Sequence, residues 1–434
     1  MAAKKKNLAL HWQILIALVL AGLIGYVTSP ETTLLGLRLY DVFDFIGQLF
    51  LNALKMLIVP LIASSMIVGV SGIGASADLG RLGLRTIGFY AVTTTLAIIL
   101  GLTLISVVRP GIVDGEPAGD LLALETDTSD VAAVVGDRGV GDVVEIFLRM
   151  FPPNIVEAAT DNGQILGIIV FSLLFGFFLS RIKEELRHPV QKFWEGVFEI
   201  MMRMTQLVMA FAPIGVFGLV AKVVMTAGLA AAEPLVVFAL VVLAALTLHA
   251  FVTLPFLVWL VLRRSPWRIY PAMAPAMLTA FSTASSSATL PVNMECLEQN
   301  VGVSPRITSF VLPLGATINM NGTALYECAA ALFIAQAYGL DLSIGTQFSI
   351  VVLALVTSIG VAGIPAASLV AIAVILTAIG LPAEAIGVLF VFDRILDMFR
   401  TSVNVFGDAV CATVIAHLEG EQVLIEGEAP FKGV

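Results

Sequence analysis

PAMAPAMLTAFSTASSSATLPVNMEC, residues 271–296, is apolar at both ends around a polar centre, Ser282-Thr283-Ala284-Ser285-Ser286-Ser287. Arg268 precedes the segment and Arg306 follows it. Short connections rich in Lys and Arg stay on the cytoplasmic side of a membrane, so both flanks face one compartment and the segment must cross an even number of times. Each half holds only about 12 residues, or ~18 Å of helix, against a hydrocarbon core of about 30 Å. The spacing predicts a helical hairpin that enters from inside, turns at the serine run and returns. A single long helix with a small-residue packing face is the other possibility, and the charge parity argues against it.

The rest of the chain supplies the membrane. Of 434 residues, 59% are hydrophobic and only 13% are Asp, Glu, Lys or Arg. That composition excludes an ordinary soluble domain, and the recurring apolar runs of about 20 residues predict an all-α polytopic membrane protein. Six spans are expected at approximately 8–28, 43–72, 79–108, 146–181, 189–224 and 229–262. Lys4 to Lys6 place the N-terminus inside; Arg81 and Arg85 follow two spans, Arg181, Lys183 and Arg187 follow four, and Arg263, Arg264 and Arg268 follow six. The intervening segments are acidic or neutral, above all the loop 110–145 with Asp114, Glu116, Asp120, Glu125, Asp127, Asp130 and Asp137. The first span has no small-residue cleavage site after it and reads as a mature helix rather than a signal peptide. Phe151-Pro152-Pro153 should break the fourth. A net charge of −9 leaves no basic patch for nucleic acid. Cys296, Cys328, Cys411 and four scattered histidines match no disulfide framework and no metal spacing.

A second hairpin is expected at 344–380, entering from outside, because Ser358-Ile359-Gly360-Val361-Ala362-Gly363-Ile364-Pro365 opens the backbone in mid-segment. Between the hairpins lies Gly315-Ala316-Thr317-Ile318-Asn319-Met320-Asn321-Gly322-Thr323, a polar stretch inside a span. It predicts an unwound turn whose carbonyl and amide oxygens suit an alkali cation better than a transition metal. A hairpin from inside, a span, a hairpin from outside and a last span form the inverted-repeat, broken-helix pattern of a transporter's midplane site.

The last span carries DRILDMFRTSVNVFGDA, residues 393–409. Asp393, Asp397, Arg400, Asn404 and Asp408 are spaced by four, three, four and four, so they fall on one helix face. Arg394 sits one residue off, placed to snorkel or to pair separately. An Asp397–Arg400 pair that merely neutralises itself would need two polar residues, and the stripe has five. Charges at membrane depth are costly and mark substrate or ion pathways. A guanidinium can hold a carboxylate through two parallel hydrogen bonds, an aspartate a turn away can take an ammonium, and hairpin hydroxyls and amides can hold a second carboxylate. Acidic amino acids fit that inventory.

Ser285-Ser286-Ser287 with Thr289-Leu290-Pro291, NMNGTALYE at 319–327, SIGVAGIP at 358–365 and DRILDMFRTSVNVFGD at 393–408 together resemble the glutamate/aspartate transporter family, the dicarboxylate/amino-acid:cation symporters. The resemblance runs from about residue 10 to 418 and is strongest after 270. It implies eight transmembrane helices plus two re-entrant hairpins, assembled as a homotrimer in the bilayer. Residues 1–74 and 146–228 would form the scaffold, 75–108 and 229–418 a moving transport domain, 109–145 an extracellular loop and 419–434 a cytoplasmic tail. It implies substrate binding by Ser285, Ser286, Ser287, Thr323, Gly363, Ile364, Asp397, Arg400, Thr401 and Asn404, with Asp397 on the amino group and Arg400 on the side-chain carboxylate. One sodium would use Gly315, Asn319, Asn404 and Asp408. A second would use Thr317, Met320, Ser358, Ile359 and Val361. A third would use Tyr90, Thr93, Thr94, Asn319 and Asn321, and Glu327 would carry a proton.

Three positions depart from the family pattern. Residue 321 is Asn where the motif usually has Asp, which weakens the third sodium site. Glu327 matches the animal transporters where many prokaryotic relatives have Gln. Ala284 and Met398 stand where members often place one arginine or the other, leaving Arg394 to supply that charge. The expected function is symport of L-glutamate or L-aspartate with sodium and a proton, without organic cofactor or catalysis, in a prokaryotic inner membrane with both termini cytoplasmic. A C4-dicarboxylate symporter is the nearest alternative and a neutral amino-acid exchanger the next; Asp397 argues against the first and an uncompensated Arg400 against the second. An intramembrane serine protease would need a histidine facing a GxSG-type turn, whereas the run is SSSA and only His249 lies in an apolar span.

Overall fold

A computed structural model describes residues 10–71, 77–122, 124, 148, 150–160, 165–228, 232–340, 342–360 and 367–423. Apart from two ladders of two-residue strands, β1 (Thr33–Leu34) with β2 (Leu37–Arg38) and β3 (Ile112–Val113) with β4 (Glu116–Pro117), the described regular structure is helical. In chain order the helices are α1 (Leu10–Val27), α2 (Leu39–Ser71), α3 (Ala77–Val108), α4 (Ile165–Leu179), α5 (Glu184–Ala210), α6 (Ala212–Ala227), α7 (Ala232–Leu248) and α8 (Leu254–Leu262). They continue with α9 (Ile269–Thr283), α10 (Ser286–Cys296), α11 (Pro305–Ile318), α12 (Asn321–Ala337), α13 (Ile344–Gly360), α14 (Ala367–Ala378) and α15 (Phe390–Leu418). Three described helices are long and apolar enough to cross a membrane, Arg81–Val108, Ala232–Leu262 and Ala383–Leu418. A bent pair, Glu184–Ala210 with Ala212–Thr226, makes a fourth if taken as one span. Shorter apolar helices at Trp12–Val27, Val59–Ser71, Gly167–Leu179 and Gly345–Ser358 fall within other expected segments.

Where the helices break, the sequence supplies the cause. The expected fourth span is interrupted: a single turn at Ile155–Ala158, capped by the Asn154 side chain, precedes α4. The expected fifth span, 189–224, is a bent pair of helices, α5 and α6. It bends by 51° at Phe211, because Pro213 lies in the first turn of α6 and cannot donate a hydrogen bond into the turn before it. The sixth span runs from α7 to α8 through a π-turn, His249–Thr253. Pro255 withholds a donor there, and the Tyr270 hydroxyl on α9 donates to the Ala250 carbonyl at 2.6 Å.

The segment at 271–296 forms two helices, α9 and α10, that turn at Ala284 and Ser285 and pack on each other. Ala284 takes the left-handed conformation, φ 50° and ψ 40°, a cost tolerated where the surroundings hold it. Ser285 Oγ accepts from the Ala288 amide at 3.2 Å and so caps α10. Between α11 and α12 the chain leaves the helix at Asn319 (φ −100°, ψ 83°) and Met320 (φ −112°, ψ 62°), as the polar stretch predicts.

Packing sorts the helices into two groups. In one, α2 lies against α4, α5 and α6, and α1 lies against α6. In the other, α15 is surrounded by α3, α7, α9, α10, α11 and α12, and α12 also packs on α3, α13 and α14. The groups touch at several places, α13 against α2 and α4 and α15 against α1 and α6 among them; at one, Phe50 of α2 stands edge-on to Phe390 of α15, ring centroids 5.5 Å apart. Burial follows: nearly every residue of α12 is buried, whereas α1 and α5 keep large apolar side chains exposed, among them Leu23, Tyr26, Phe193 and Leu207.

Candidate functional site

The stripe on α15 is buried along its whole length: Asp393, Arg394, Asp397, Arg400, Thr401, Asn404 and Asp408 are all withdrawn from solvent. Arg400 has no exposed side-chain surface, and its Nη2 donates to Asp393 Oδ1 and to Asp397 Oδ1, each at 3.0 Å. Its guanidinium carbon lies 3.9 Å from the centroid of the Tyr326 ring, a cation–π contact that strengthens away from water. Nε and Nη1 of Arg400 have no partner among the described residues. Arg394 does not snorkel outward: its side chain is 10% exposed and Nη1 lies 3.5 Å from Asp397 Oδ2. Two acids and two arginines thus balance formally in one buried cluster. Removing one partner from such a cluster is far more disruptive than the net stability it contributes.

One turn further along α15, Asn404 joins two chains of contacts. Its Oδ1 accepts from the Gly322 amide at 2.8 Å, and its Nδ2 donates to Thr323 Oγ1 at 3.0 Å. The close approach requires Gly322: a Cβ there would lie 2.9 Å from the Arg400 carbonyl oxygen and 3.2 Å from its Cα.

A third group lies at the break between α11 and α12. Thr94 Oγ1 donates to Asn321 Oδ1 at 2.7 Å, and Thr93 Oγ1 lies 3.5 Å from both Asn319 Oδ1 and Asn321 Oδ1. Asn319 Nδ2 donates to Asp408 Oδ1 at 2.9 Å, and the Tyr90 hydroxyl donates to the Val311 carbonyl at 2.9 Å. Gly315 faces this cluster, since a Cβ would collide with the Asp408 carboxylate and the Tyr90 hydroxyl. Hydroxyl, amide and carboxylate oxygens with no buried Lys or Arg among these hydrogen bonds make a hard donor set suited to an alkali cation. Asn321 Nδ2 is buried without a partner among the described residues, so the amide contributes one oxygen and a donor that repels a cation, where an aspartate would contribute a charge.

The other predicted residues fall around these three groups. Thr317 Oγ1 donates to the Leu314 carbonyl at 2.9 Å, Ser358 Oγ donates to the Leu355 carbonyl at 3.0 Å, and Met320 is buried beside Leu57, Leu61 and Met201. Ser286 is buried in the hairpin tip while Ser287 is exposed. The hairpin is anchored to α15 by Ser402 Oγ, which donates to the Met277 carbonyl at 3.1 Å. Val361, Gly363 and Ile364 lie outside the described residues, as does the Ile359 side chain.

Glu327 is fully buried on α12. Thr357 Oγ1 on α13 donates to its Oε2 at 2.9 Å, and Oε1 has no partner among the described residues. Tyr326 and Thr357 are the contributors that sequence reasoning missed. Tyr326 was within reach of it, being three residues from Thr323 and so on the same face of α12. Thr357 carries no such signal, because its partner is 30 residues away.

The chain is 36% identical to the proton/glutamate-aspartate symporter of Escherichia coli K12, over 96% of this chain and 94% of that one. It is 36% identical to the proton/sodium-glutamate symport protein of Geobacillus stearothermophilus, covering 96% of each. It is 35% identical to excitatory amino acid transporter 3 of Mus musculus, over 95% of this chain and 86% of the mouse protein. Residues 10–418 match the sodium:dicarboxylate symporter family, and the chain belongs to that family.

Proposed function

We propose that the protein is a secondary-active symporter of acidic amino acids, L-glutamate or L-aspartate, driven by sodium and a proton. The observation that carries this reading is Arg400: a fully buried guanidinium with two nitrogens that have no partner among the described residues and two aspartates on its third. A substrate carboxylate can take the free donors, and its ammonium can take an acid that Arg400 releases. Asn404 and Thr323, joined at 3.0 Å, supply neutral contacts for the second carboxylate, together with Thr401 and the serines of the first hairpin. Sodium would be held by the oxygens of Tyr90, Thr93, Thr94, Asn319, Asn321 and Asp408, and Glu327 would carry the proton on Oε1, which has no partner among the described residues.

The chain crosses the membrane eight times, with two re-entrant hairpins, and assembles as a homotrimer through residues 1–74 and 146–228. Residues 75–108 and 229–418 move as the transport domain against that scaffold, in a prokaryotic inner membrane with both termini cytoplasmic. The two packing groups of helices support this division. Uptake of radiolabelled glutamate, aspartate, succinate and alanine into proteoliposomes, under separate sodium, proton and potassium gradients, tests the proposal. Glutamate or aspartate should accumulate only with an inward sodium gradient. The C4-dicarboxylate alternative predicts succinate uptake with no response to glutamate. It is disfavoured because Asp393 and Asp397 both rest on Arg400, and a ligand without an ammonium would compete for that guanidinium while bringing no cation to compensate the acids it displaces.

A further inference from the structure

The five residues that follow α15 grip three separate helices. Glu419 accepts from Arg85 Nη1 at 2.7 Å and from Arg81 Nη2 at 3.1 Å, both on α3, and Arg85 also donates to the Leu418 carbonyl at 3.1 Å. Glu421 accepts from the Ser304 amide at 3.0 Å and from Ser304 Oγ at 2.5 Å, immediately before α11, where the first amides lack acceptors within the helix. Arg264 Nη1, just beyond α8, donates to the Val423 carbonyl at 2.9 Å, and the Val423 side chain is buried with residues of α8, α9, α11 and α15. Exposed ion pairs contribute little to stability. Here Arg81 and Arg85 are 63% and 40% exposed, but the Glu419 side chain is 6% exposed and holds both guanidiniums at once, and the other links act through the same short strap.

Three of the elements tied there, α3, α11 and α15, are the ones that build the oxygen cluster, through Tyr90, Thr93 and Thr94, through Gly315 and the Asn319 that follows α11, and through Asp408. Thr94 lies nine residues from Arg85, or ~14 Å of helix; Gly315 lies eleven from Ser304 and Asp408 eleven from Glu419, or ~17 Å each. A binding constellation must be held to within about 0.5 Å to function, and helices joined at one level can splay at another. We infer that residues 419–423 form a clasp that keeps α3, α11 and α15 in register, making Glu419 and Glu421 positioning residues for the cation cluster. The inference rests on the sodium-coupled reading above. Opening the clasp removes no oxygen from the cluster but spreads the helices that carry them. Arg400 lies 19 residues from Glu419, or ~28 Å along α15, so the substrate contacts are disturbed less.

Glu419→Gln and Glu421→Gln, singly and together in the full-length protein, test the clasp. Three quantities are read: the sodium concentration giving half-maximal glutamate uptake, the maximal rate at saturating sodium, and hydrogen exchange of the amides of residues 81–89. The double variant should need at least threefold more sodium, keep its maximal rate within twofold, and exchange faster at residues 81–89 while α12 is unchanged. Glu419→Arg alone should raise the sodium requirement in the same way, and adding Arg85→Glu should restore it. Unchanged exchange, or a swap that restores nothing, overturns the clasp. Faster exchange with an unchanged sodium requirement overturns its link to the cation cluster. A wild-type protein indifferent to sodium defeats the coupling reading instead, and the exchange measurement then still decides whether the clasp exists.

Discussion

Arg400 is buried with a tyrosine ring against its face and two aspartates on one of its nitrogens, so the charge of the bound molecule turns on this residue. Arg400→Cys should lose glutamate and aspartate by roughly 30-fold or more in affinity, the equivalent of ~2–5 kcal/mol for truncating a desolvated charge pair. Serine or alanine uptake should appear in its place. Competition of each amino acid against labelled substrate checks this, and unchanged glutamate affinity would sink the assignment. Asn321 is the complementary case. Asn321→Asp places a carboxylate beside Thr94 and Asn319, and a unit charge a few Å from a cation changes its binding by roughly 4 kcal/mol at an effective dielectric of 20. Reversal-potential measurements should count more sodium per substrate in the variant than in the wild type. An unchanged count would mean that residue 321 does not set the coupling. Both residues were legible in the sequence as members of a polar stripe and a polar break. Their partners were less so: that Tyr326 would cover Arg400 depends on how α12 rotates against α15, which no spacing along either helix determines.

Between elements, a hydroxyl ties the packed helices α12 and α13 at Glu327. Thr357 Oγ1 donates to Glu327 Oε2, and the same hydroxyl lies 2.8 Å from the Leu353 carbonyl of its own helix. If Glu327 carries the coupled proton, Glu327→Gln should flatten the dependence of uptake on external pH between 5 and 8 while leaving sodium-driven exchange intact. Thr357→Val should shift that pH profile without flattening it, and Thr357→Ser should restore it. The charged group acting on Glu327 from the neighbouring α15 is Arg400, so a comparison in which Arg400 is retained isolates the hydroxyl. A wild-type profile already flat over this range would make Glu327 structural. The element boundaries divide in the same way. The turn at Ala284-Ser285 and the break at Asn319-Met320 were predictable because serine runs, amides and charge parity are local signals. The 51° bend at Phe211 and the π-turn at His249 have no such local signal, because Pro213 and Pro255 sit inside long apolar runs.

For the whole molecule, one contact between the two packing groups is Phe50 against Phe390, whose ring centroids are 5.5 Å apart. If the α15 group moves against the α2 group during transport, the pair must separate in each cycle. Cysteines introduced together at positions 50 and 390 and bridged by a short thiol cross-linker should stop uptake, and reduction of a cleavable bridge should restore it. The native cysteines, Cys296, Cys328 and Cys411, are buried, and the single variants control for them. Undiminished uptake after complete bridging would rule out movement at this contact.

The sequence by itself determined that this chain lives in a membrane, that its last third is broken and polar, and that one helix face carries Asp393, Asp397, Arg400, Asn404 and Asp408. Those features are periodic or compositional: a helix repeat of 3.6 residues and the cost of charge in hydrocarbon are written into any short window. Only the tertiary structure decided which of those groups face one another. Arg400 shares its charge with two acids rather than one, Asn321 meets Thr94 across 227 residues of chain, and Glu419 reaches back 334 residues to Arg85. Such pairings follow from the rotation and register of packed helices, set by the fit of whole buried faces, and no local pattern in the sequence encodes them.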